Sequence, residues 1–415
     1  MIKHARPLAL TLIAMCGTPV TVNAAQSLAP EIALFQTPAS KVPVALQNAR
    51  WHMNDATQNM LSFTQAKRLF TTRTVSHSGL PSQLITSEQP LLFSYEFEGK
   101  KYRANEFQQR TYSNAMLIMK KGRIVHEEYL NNTSPDTHFI GWSTTKSIVG
   151  LLVGIAISEG RIKSVDDSIT DYLPELQSGA YAGVTIRQIL QMRSGVEYEE
   201  RYDFNNPGIA AANHIQALVQ NTVRFADAAI NIKRAHGPGE VFEYKTIDTA
   251  VLGWLIERIT DGGNLASYMT SRLWEPLGAE SDGFFIMDGE PGVGREFSGA
   301  GFNVVMRDYA RIGEMMLNSG YFNGKQIVPK TWVQQSVEAN GEETDILDYG
   351  MQWWTISGTS AYCAIGLQGQ FIYVDPATET VIVKFSFFPR ATMENAKFES
   401  IEFFKAASIW SPFEN

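Results

Sequence analysis

The stretch SIVGLLVGIAISEG, residues 147–160, constrains the fold of this 415-residue chain more than any other segment. It is apolar on nearly every side of a helix, which predicts a buried helix rather than a surface helix. Gly160 is placed to end this helix, because glycine readily adopts the left-handed conformation that follows many helix ends. A helix of this kind needs other parts of the chain to cover it all round.

Sequence typical of β-structure lies on both sides of this helix. Before it, LLFSYEFEGKKYR (91–103, with the bend at 99–101) and NAMLIMKKGRIVHEEYL (114–130, bending at Lys121-Gly122) predict two hairpins of an antiparallel sheet with one buried face. After it, YGMQWWTI, GQFIYVDP and TVIVKFSFF predict further strands. Helical periods fill the middle of the chain, in TIRQILQM, NHIQALVQ, TAVLGWLIERIT and LASYMTSRLWEPL, and recur in RDYARIGEMMLNSG, PKTWVQQSV and ESIEFFKAASIW.

We therefore expect an α+β fold, an antiparallel β-sheet flanked by N- and C-terminal helices and interrupted by an inserted helical domain. The sheet domain is expected to comprise residues 91–160 and 300–415, and the mainly helical domain residues 161–299. Residues 25–90 are expected to pack on this body as an N-terminal extension. A cleft between the two domains is the default place for a functional site.

The first 24 residues have the pattern of a secretory signal peptide. Lys3 and Arg6 precede a short apolar run, and small residues near Ala24 suit cleavage after that position. The run is too short to span a membrane, and no later stretch is long and apolar enough to do so. We expect an exported protein, periplasmic or secreted, and the less favoured alternative is a lipoprotein anchored through Cys16.

Charge and cysteine content narrow the classes of function. The formal net charge is −8, and loss of Lys3 and Arg6 with the signal peptide makes it more negative. An acidic, evenly mixed surface argues against nucleic acid or anionic lipid as a partner. Cys363 is the only cysteine left after cleavage, which excludes an internal disulfide. The histidines lack the spacing of a metal site and no phosphate-binding glycine loop is present, so we expect neither metal nor cofactor.

A serine and a lysine, Ser143 and Lys146, stand directly before the apolar run in GWSTTKS. Residues three apart share a helix face, so the two side chains would point into the same space. In the first turn, the helix dipole and the free N–H of Ser143 would stabilise an oxyanion. Burial would lower the pKa of Lys146 and let its neutral amine act as a base. From these residues alone, a plain N-cap with a solvated lysine stays an open alternative.

Two later segments bear on this choice. In PGEVFEYKT, Tyr244 lies between an extended piece and a helix expected to begin near Asp248, where it could share a proton with the serine and the lysine. The alternative for Tyr244 is a core aromatic with a satisfied hydroxyl. In AIGLQGQFIYVDP, Gly366 precedes a strand at a point where backbone can approach a ligand closely. The alternative there is a plain bend between strands.

In order and spacing, STTKS, PGEVFEYKT and the glycine before FIYVDP resemble the three signature elements of the serine β-lactamase and penicillin-binding-protein family. The Tyr-x-Thr form of the second element resembles the class C β-lactamase and esterase branch. Longer stretches, among them GLLVGIAISEGRIKSVDDSITDYLPEL and RDYARIGEMMLNSGYFNGKQIVP, are similar to the 6-aminohexanoate-dimer hydrolase subgroup. The resemblance covers about residues 90 to 410.

The resemblance implies a role for each residue of the candidate site. Ser143 would be the acylated nucleophile and Lys146 its base. Tyr244 would donate a proton to the leaving group and then activate water. The backbone N–H groups of Ser143 and Leu367 would form the oxyanion hole. The residues expected to contact substrate are Tyr202, Thr246 and Gly366.

The third element departs from the family pattern. Where β-lactamases and penicillin-binding proteins usually carry Lys-Thr-Gly, this chain has Ala364-Ile365-Gly366, so the cation that would recognise a substrate carboxylate is missing. We therefore expect an exported serine hydrolase that cleaves a small linear amide or ester through an acyl-enzyme. Two alternatives stay open: a β-lactamase or D,D-peptidase, and a non-catalytic penicillin- or cell-wall-sensing module.

Overall fold

The computed structural model describes residues 40–201, 208–260, 262–290, 292–341 and 346–413. The expected signal peptide and the expected substrate contact Tyr202 lie outside these residues. Within them, no helix is both long enough and apolar enough to cross a membrane.

An eight-stranded sheet forms the centre of the structure, and its strands are numbered β1–β8 in chain order. They are Ile85–Thr86, Ser113–Lys120, Arg123–Tyr129, Leu347–Tyr349, Trp354–Ile356, Tyr362–Gly366, Gln370–Asp375 and Thr380–Ser386. Their order across the sheet is β4-β5-β6-β7-β8-β2-β3-β1. All neighbours are antiparallel except β1, which pairs parallel to β3 at the edge. Strands from both ends of the chain thus share one sheet.

Both predicted hairpins are present. Ser94–Phe97 pairs with Lys100–Arg103, and β2 pairs with β3. The first hairpin turns at Glu98 and Gly99, one residue earlier than expected, where both residues have positive φ angles of 49° and 70°. Only the second hairpin joins the central sheet, whereas the first stays a separate two-stranded ribbon.

Helices surround the sheet, and those of eight residues or more among the described residues are labelled α1–α5. They are Val44–Trp51, Thr144–Ser158, Thr246–Ile259, Met306–Leu317 and Met393–Ile409. Shorter α-helices lie at Asn59–Ser62, Ala66–Leu69, Phe107–Arg110, Ile186–Leu190, Ile209–His214, Ala228–Asn231, Leu265–Met269, Glu275–Leu277 and Lys330–Ser336. Two of them continue as π-helical turns at Ile215–Val219 and Thr270–Trp274. Single 3-10 turns occur at Ala104–Glu106, Ile169–Asp171, Pro174–Leu176, Phe225–Asp227 and Arg390–Thr392.

The helix predicted to be buried, α2, lies in the interior. Residues 144–156 of α2 are all buried, and the helix packs against α3 and β6. Gly154 allows the ring of Trp332 to lie against the helix, because a Cβ at this position would be 2.2 Å from that ring. The helix ends at Ser158, and Gly160 follows with a φ of 70°, as expected.

The central sheet is covered on both faces. Alternate residues of β7 point to opposite sides, so that Phe371 and Tyr373 belong to the core beneath α5, and Ile372 and Val374 belong to the core that contains α2 and α4. This layering confirms the expected α+β class. The boundaries of the two domains stay a prediction.

Smaller sheets complete the structure. A four-stranded antiparallel sheet has the order Thr72–Val75, Gly283–Ile286, Phe302–Val304 and Phe139–Ile140, and a short hairpin joins Tyr321–Phe322 to Lys325–Gln326. The strand Gly283–Ile286 falls in the segment expected to be mainly helical. Its four residues are buried, and pairing with Phe302–Val304 satisfies the backbone there.

Candidate active site

Ser143 lies at the N-terminus of α2, where the backbone turns sharply. It is the N-cap residue, and the helix begins at Thr144. Trp142, directly before it, has a φ of 47°, a conformation that large side chains seldom adopt. Gly141 has no room for a side chain, since a Cβ there would lie 2.0 Å from the hydroxyl of Tyr309. The backbone geometry at Gly141 and Trp142 therefore fixes where the side chain of Ser143 lies.

The amine of Lys146 is buried and has three oxygen neighbours. Nζ lies 3.0 Å from Ser143 Oγ, 3.1 Å from Thr246 Oγ1 and 2.8 Å from the carbonyl oxygen of Gly299. Burial disfavours the charged form and lowers the pKa of Lys146 to about 8, although the negative charge of Glu200 acts in the opposite direction. Lys146 is thus enclosed beside Ser143 rather than solvated.

Tyr244 joins Ser143 and Lys146 in one cluster. Its side chain lies beside that of Ser143, and its ring centre lies 5.0 Å from Lys146 Nζ. Burial raises the pKa of Tyr244 above its usual range, and the neighbouring Ser143 hydroxyl acts in the opposite direction. The ring stacks on Trp354 at 5.5 Å and meets the edge of Tyr349 at 6.0 Å, so its orientation is held by packing.

Gly366, at the end of β6, lies against the backbone that leads into Ser143. A Cβ on Gly366 would be 2.2 Å from the carbonyl oxygen of Gly141. Gly366 also lines the cleft together with Ser143, and its expected contact with substrate stays a prediction. Leu367, the next residue, is partly exposed and lines the same cleft as Ser143. Its role in an oxyanion hole stays a prediction.

Sequence reasoning missed Glu200. One oxygen of its carboxylate accepts a hydrogen bond from the backbone N–H of Thr246 at 2.9 Å, and the other accepts from Thr246 Oγ1 at 2.6 Å. Thr246, which we expected to contact substrate, is therefore held between Glu200 and Lys146. Glu200 stands in EYEERY beside a second glutamate, Glu199, and no local pattern tells which of the two faces the lysine.

The cluster opens into a cleft of about 940 Å³. Three parts of the chain line it: the N-terminal segment, the residues around the cluster, and the region from the end of β6 to the start of α5. The first contributes Trp51, His52, Asn54, Asp55 and Ala56, and the last contributes residues 365–369, Phe371, Phe388, Arg390, Met393, Glu394, Lys397 and Phe398. The N-terminal extension thus forms one wall of the cleft, a point that the sequence left open.

Side-chain amides tie the N-terminal segment to the turn after β6. Gln368 Nε2 donates to the carbonyl oxygen of Asn54 at 2.8 Å, and Asn59 Nδ2 donates to Gln368 Oε1 at 3.0 Å. Gln368 is buried and has a φ of 56°, so these bonds hold an unusual backbone conformation. The turn that carries Leu367 is therefore braced from the opposite end of the chain.

Charged side chains at the cleft are mostly paired. His52 lies 2.7 Å from Asp55, and Lys397 lies 2.6 Å from Glu394. Arg390 is exposed at the cleft and, within the described part of the chain, takes part in no ion pair. This chain lacks the lysine that the family usually carries in the third element. Arg390 is thus a cation at the cleft that is available to a substrate.

Among the residues that the structure describes, no group of three or more His, Cys, Asp and Glu side chains could hold a metal ion. Cys363 is a free, buried thiol in β6, and burial raises its pKa well above the usual range. A thiol of this kind is a poor nucleophile.

The chain is similar to known proteins in sequence and in fold. Residues 100–387 match the family described as beta-lactamase. Over 298 residues the chain is 32% identical to the 6-aminohexanoate-dimer hydrolase of Paenarthrobacter ureafaciens. The matched region covers 68% of this chain and 74% of that protein. A solved structure of a candidate 6-aminohexanoate-dimer hydrolase from Bacillus anthracis has a TM-score of 0.76 and 24% identity, covering 86% and 95% of the two chains. EstCE1, described as a hydrolase with promiscuous acyltransferase activity, has a TM-score of 0.59 and 15% identity, covering 74% and 97%.

Proposed function

The chain belongs to the beta-lactamase family of hydrolases, and we propose that it is a serine hydrolase that cleaves a small linear amide or ester through a covalent acyl-enzyme. The observation that carries the proposal is the placement of Lys146 Nζ 3.0 Å from Ser143 Oγ and 5.0 Å from the ring centre of Tyr244, with Ser143 and Tyr244 both lining a cleft. The relationship to a protein named 6-aminohexanoate-dimer hydrolase supports a linear amide as substrate.

Acylation begins with proton transfer from Ser143 to Lys146. As the neutral amine takes the proton, Ser143 Oγ attacks the substrate carbonyl and its oxygen becomes negative. The N–H groups of Ser143 and Leu367 and the positive end of α2 stabilise this oxyanion. Tyr244 donates its proton to the leaving amine or alkoxide and regains one from the Lys146 ammonium.

Deacylation reverses the proton route. Water enters the place of the leaving group, and Tyr244 with Lys146 takes one of its protons as the oxygen attacks the acyl carbon. The bond between Ser143 Oγ and the carbonyl carbon then breaks, and the proton returns to Ser143. The acid product leaves and the starting state is restored.

The walls of the cleft suit a flexible chain with an apolar middle. Aromatic side chains line it at Trp142, Trp354, Phe388 and Phe398, and its volume lies in the range of small-molecule sites. Ala364, which stands where the family usually has lysine, is buried in β6 and offers no charge to a β-lactam carboxylate. These features favour a linear substrate over a β-lactam.

Export and domain organisation belong to the same proposal. The pattern of residues 1–24 supports cleavage after Ala24 and release to the periplasm or the medium. The cleft supports a division into a sheet domain, residues 91–160 and 300–415, and a mainly helical domain, residues 161–299. A mass measurement of the mature protein from the producing cells tests the cleavage site.

Covalent labelling tests the nucleophile. We expect a fluorophosphonate to add one adduct mass to the wild-type protein, and Ser143→Ala to take up none, because the activated hydroxyl is gone. Ser158→Ala, at the far end of the same helix, serves as the matched control and should label like the wild type. Adduct formation by Ser143→Ala, read by intact-protein mass spectrometry, would place the nucleophile elsewhere.

A panel of substrates separates the proposed function from its alternatives. The panel contains the linear dimer of 6-aminohexanoate, p-nitrophenyl acetate and a chromogenic cephalosporin. Rapid turnover of the cephalosporin alone would favour a β-lactamase or D,D-peptidase. One stoichiometric burst without turnover of any of the three would favour a sensing module.

A further inference from the structure

The three oxygen neighbours of Lys146 cannot all accept hydrogen bonds from its neutral form. A neutral amine has two N–H bonds and one lone pair, whereas an ammonium has three N–H bonds. Two of the oxygens around Nζ can therefore accept a hydrogen bond from a neutral Lys146, and the third must donate a hydrogen bond to its lone pair. Which oxygen donates decides whether the lone pair is available to the nucleophile.

Two of the three oxygens are restricted to accepting. The oxygen of Gly299, at 2.8 Å from Nζ, is a carbonyl and has no proton to give. The hydroxyl of Thr246 has one proton, and its oxygen lies 2.6 Å from Glu200 Oε1, a carboxylate oxygen that accepts. The second carboxylate oxygen holds the Thr246 backbone N–H at 2.9 Å, so Glu200 grips Thr246 at two points. Because its hydroxyl donates to Glu200, Thr246 can only accept a hydrogen bond from Lys146.

We propose that Glu200 is a positioning residue that, through Thr246, directs the lone pair of neutral Lys146 at the hydroxyl of Ser143. The inference rests on the proposed function, since it concerns the same proton transfer. The two N–H bonds of the amine point to Gly299 and Thr246, and the lone pair faces Ser143 Oγ at 3.0 Å. Without Glu200, Thr246 could turn its proton toward Lys146 and occupy the lone pair that acylation needs.

Glu200 has a second effect, through its charge. Its carboxylate favours the ammonium form of Lys146, in opposition to burial. Loss of that charge lowers the pKa of Lys146 further, and a larger share of the amine is then neutral at a given pH. Removal of Glu200 should therefore shift the acid side of the rate profile to lower pH and, because the lone pair is misdirected, lower the plateau.

The test compares Glu200→Gln with Glu199→Gln in the hydrolysis of p-nitrophenyl acetate between pH 5 and pH 10, since this leaving group needs no protonation. Glu199 is the matched control, because it lies in the same loop, loses the same charge and pairs with Arg201 at 2.9 Å. For Glu200→Gln we expect a plateau of kcat/KM about 100-fold lower, the lower end of general-base effects, and an acid side of the pH profile displaced to lower pH. Glu199→Gln should match the wild type in both respects.

Two variants of Thr246 keep the inference testable even if Glu200→Gln does not fold. Thr246→Val removes the hydroxyl and should lower the plateau as Glu200→Gln does, whereas Thr246→Ser keeps it and should recover most of the loss. If Glu200→Gln and Thr246→Val both kept the wild-type plateau of kcat/KM, the role of Glu200 would be overturned. The proposed function would still stand as long as a fluorophosphonate labels Ser143. A wild-type protein that takes no label at Ser143 would overturn both.

Discussion

At the scale of single residues, Lys146 shows how burial changes the chemistry of an ordinary side chain. A solvated lysine has a pKa of about 10.4, whereas burial lowers the pKa of the Lys146 amine beside Ser143 to about 8. At pH 7 roughly one such amine in ten is neutral, against fewer than one in a thousand for a solvated lysine. Lys146 can therefore serve as a base without a large cost of deprotonation.

The rate of acylation should follow the titration of Lys146. Only the neutral amine accepts the proton of Ser143, so kcat/KM for p-nitrophenyl acetate should rise with pH and level off above about pH 8. Lys146→Ala should lower the rate by about 10²- to 10⁴-fold, the usual size of general-base effects. Circular dichroism and a melting curve check that the variant stays folded. A rate independent of pH from 6 to 9 would assign the base to another group.

Single residues also show what the sequence could and could not predict. The spacing of Ser143 and Lys146 and the junction at Tyr244 are local patterns, and the structure brings all three together. The contact between Glu200 and Thr246 depends on how a loop returns to the start of α3, and local patterns say nothing about that return. Tyr202, two residues further along the sequence, lies outside the described residues, and its contact with substrate stays a prediction.

At the scale of elements, the end of β6 and the start of α2 form one unit. The apolar run predicted α2, and the patterns of GQFIYVDP and TVIVKFSFF predicted β7 and β8, because each pattern reflects burial along one segment. The strand β6 itself was not predicted, since the sequence analysis placed Gly366 before a strand and not at the end of one. The contact between Gly366 and the carbonyl of Gly141 was not predictable, since it depends on how the sheet and the helix pack. The positive φ of Trp142 belongs to the same contact region and left no trace in the sequence.

Gly366→Ala should disturb this unit. The new Cβ would lie 2.2 Å from the carbonyl oxygen of Gly141, and relief requires the strand end to move away from the Ser143 backbone. We expect the free energy of unfolding to fall by about 1–3 kcal/mol, as in other overpacked sites. Labelling of Ser143 by a fluorophosphonate should slow by about tenfold or more, since small misplacements at a reacting centre are costly.

The control for Gly366→Ala is Gly358→Ala, which separates the effect of crowding beside Ser143 from the effect of backbone strain elsewhere. Gly358 has open space around it and a φ of 73°, so Gly358→Ala meets backbone strain alone. Denaturant unfolding should show a loss of about 1 kcal/mol for Gly358→Ala, with no slowing of the labelling reaction. Equal labelling rates for Gly366→Ala and the wild type would mean that this contact does not position the nucleophile.

At the scale of the whole molecule, the cleft is assembled from distant parts of the chain. Arg50 in α1 is buried and donates to the carbonyl oxygens of Leu69 at 2.6 Å and of Leu218 at 3.1 Å, so it pins the N-terminal segment to the helical part. The region before residue 66 has weak periodicity, and its place on the cleft was not predictable because the contacts that hold it there, such as that of Asn54 with Gln368, join distant parts of the chain. The fold class was predictable, since it needs only the types and order of the elements.

The charge at the C-terminal wall should select among substrates. Arg390 lies at the cleft just before α5, where it can meet a terminal carboxylate of a linear amide. Arg390→Gln should raise KM for such an amide by about tenfold, the equivalent of one lost charge-assisted hydrogen bond, and leave KM for the methyl ester of the same compound unchanged. Lys405→Gln, a cation of α5 outside the cleft that pairs with Glu402, is the control. An equal change in KM for both compounds would exclude recognition of the carboxylate by Arg390.

The contact between Gly141 and Gly366 also sets when the site can first work. A ribosome releases the chain from its N-terminus, so Ser143 and Lys146 emerge long before β6 and the turn that carries Leu367. Until those late strands pair, Gly366 is not seated against Gly141, and the bonds of Gln368 to Asn54 and Asn59 are missing from the turn that carries Leu367. Under the proposed mechanism, a half-made or unfolded copy of the protein should therefore be inert toward the amides and esters of the compartment in which it is made.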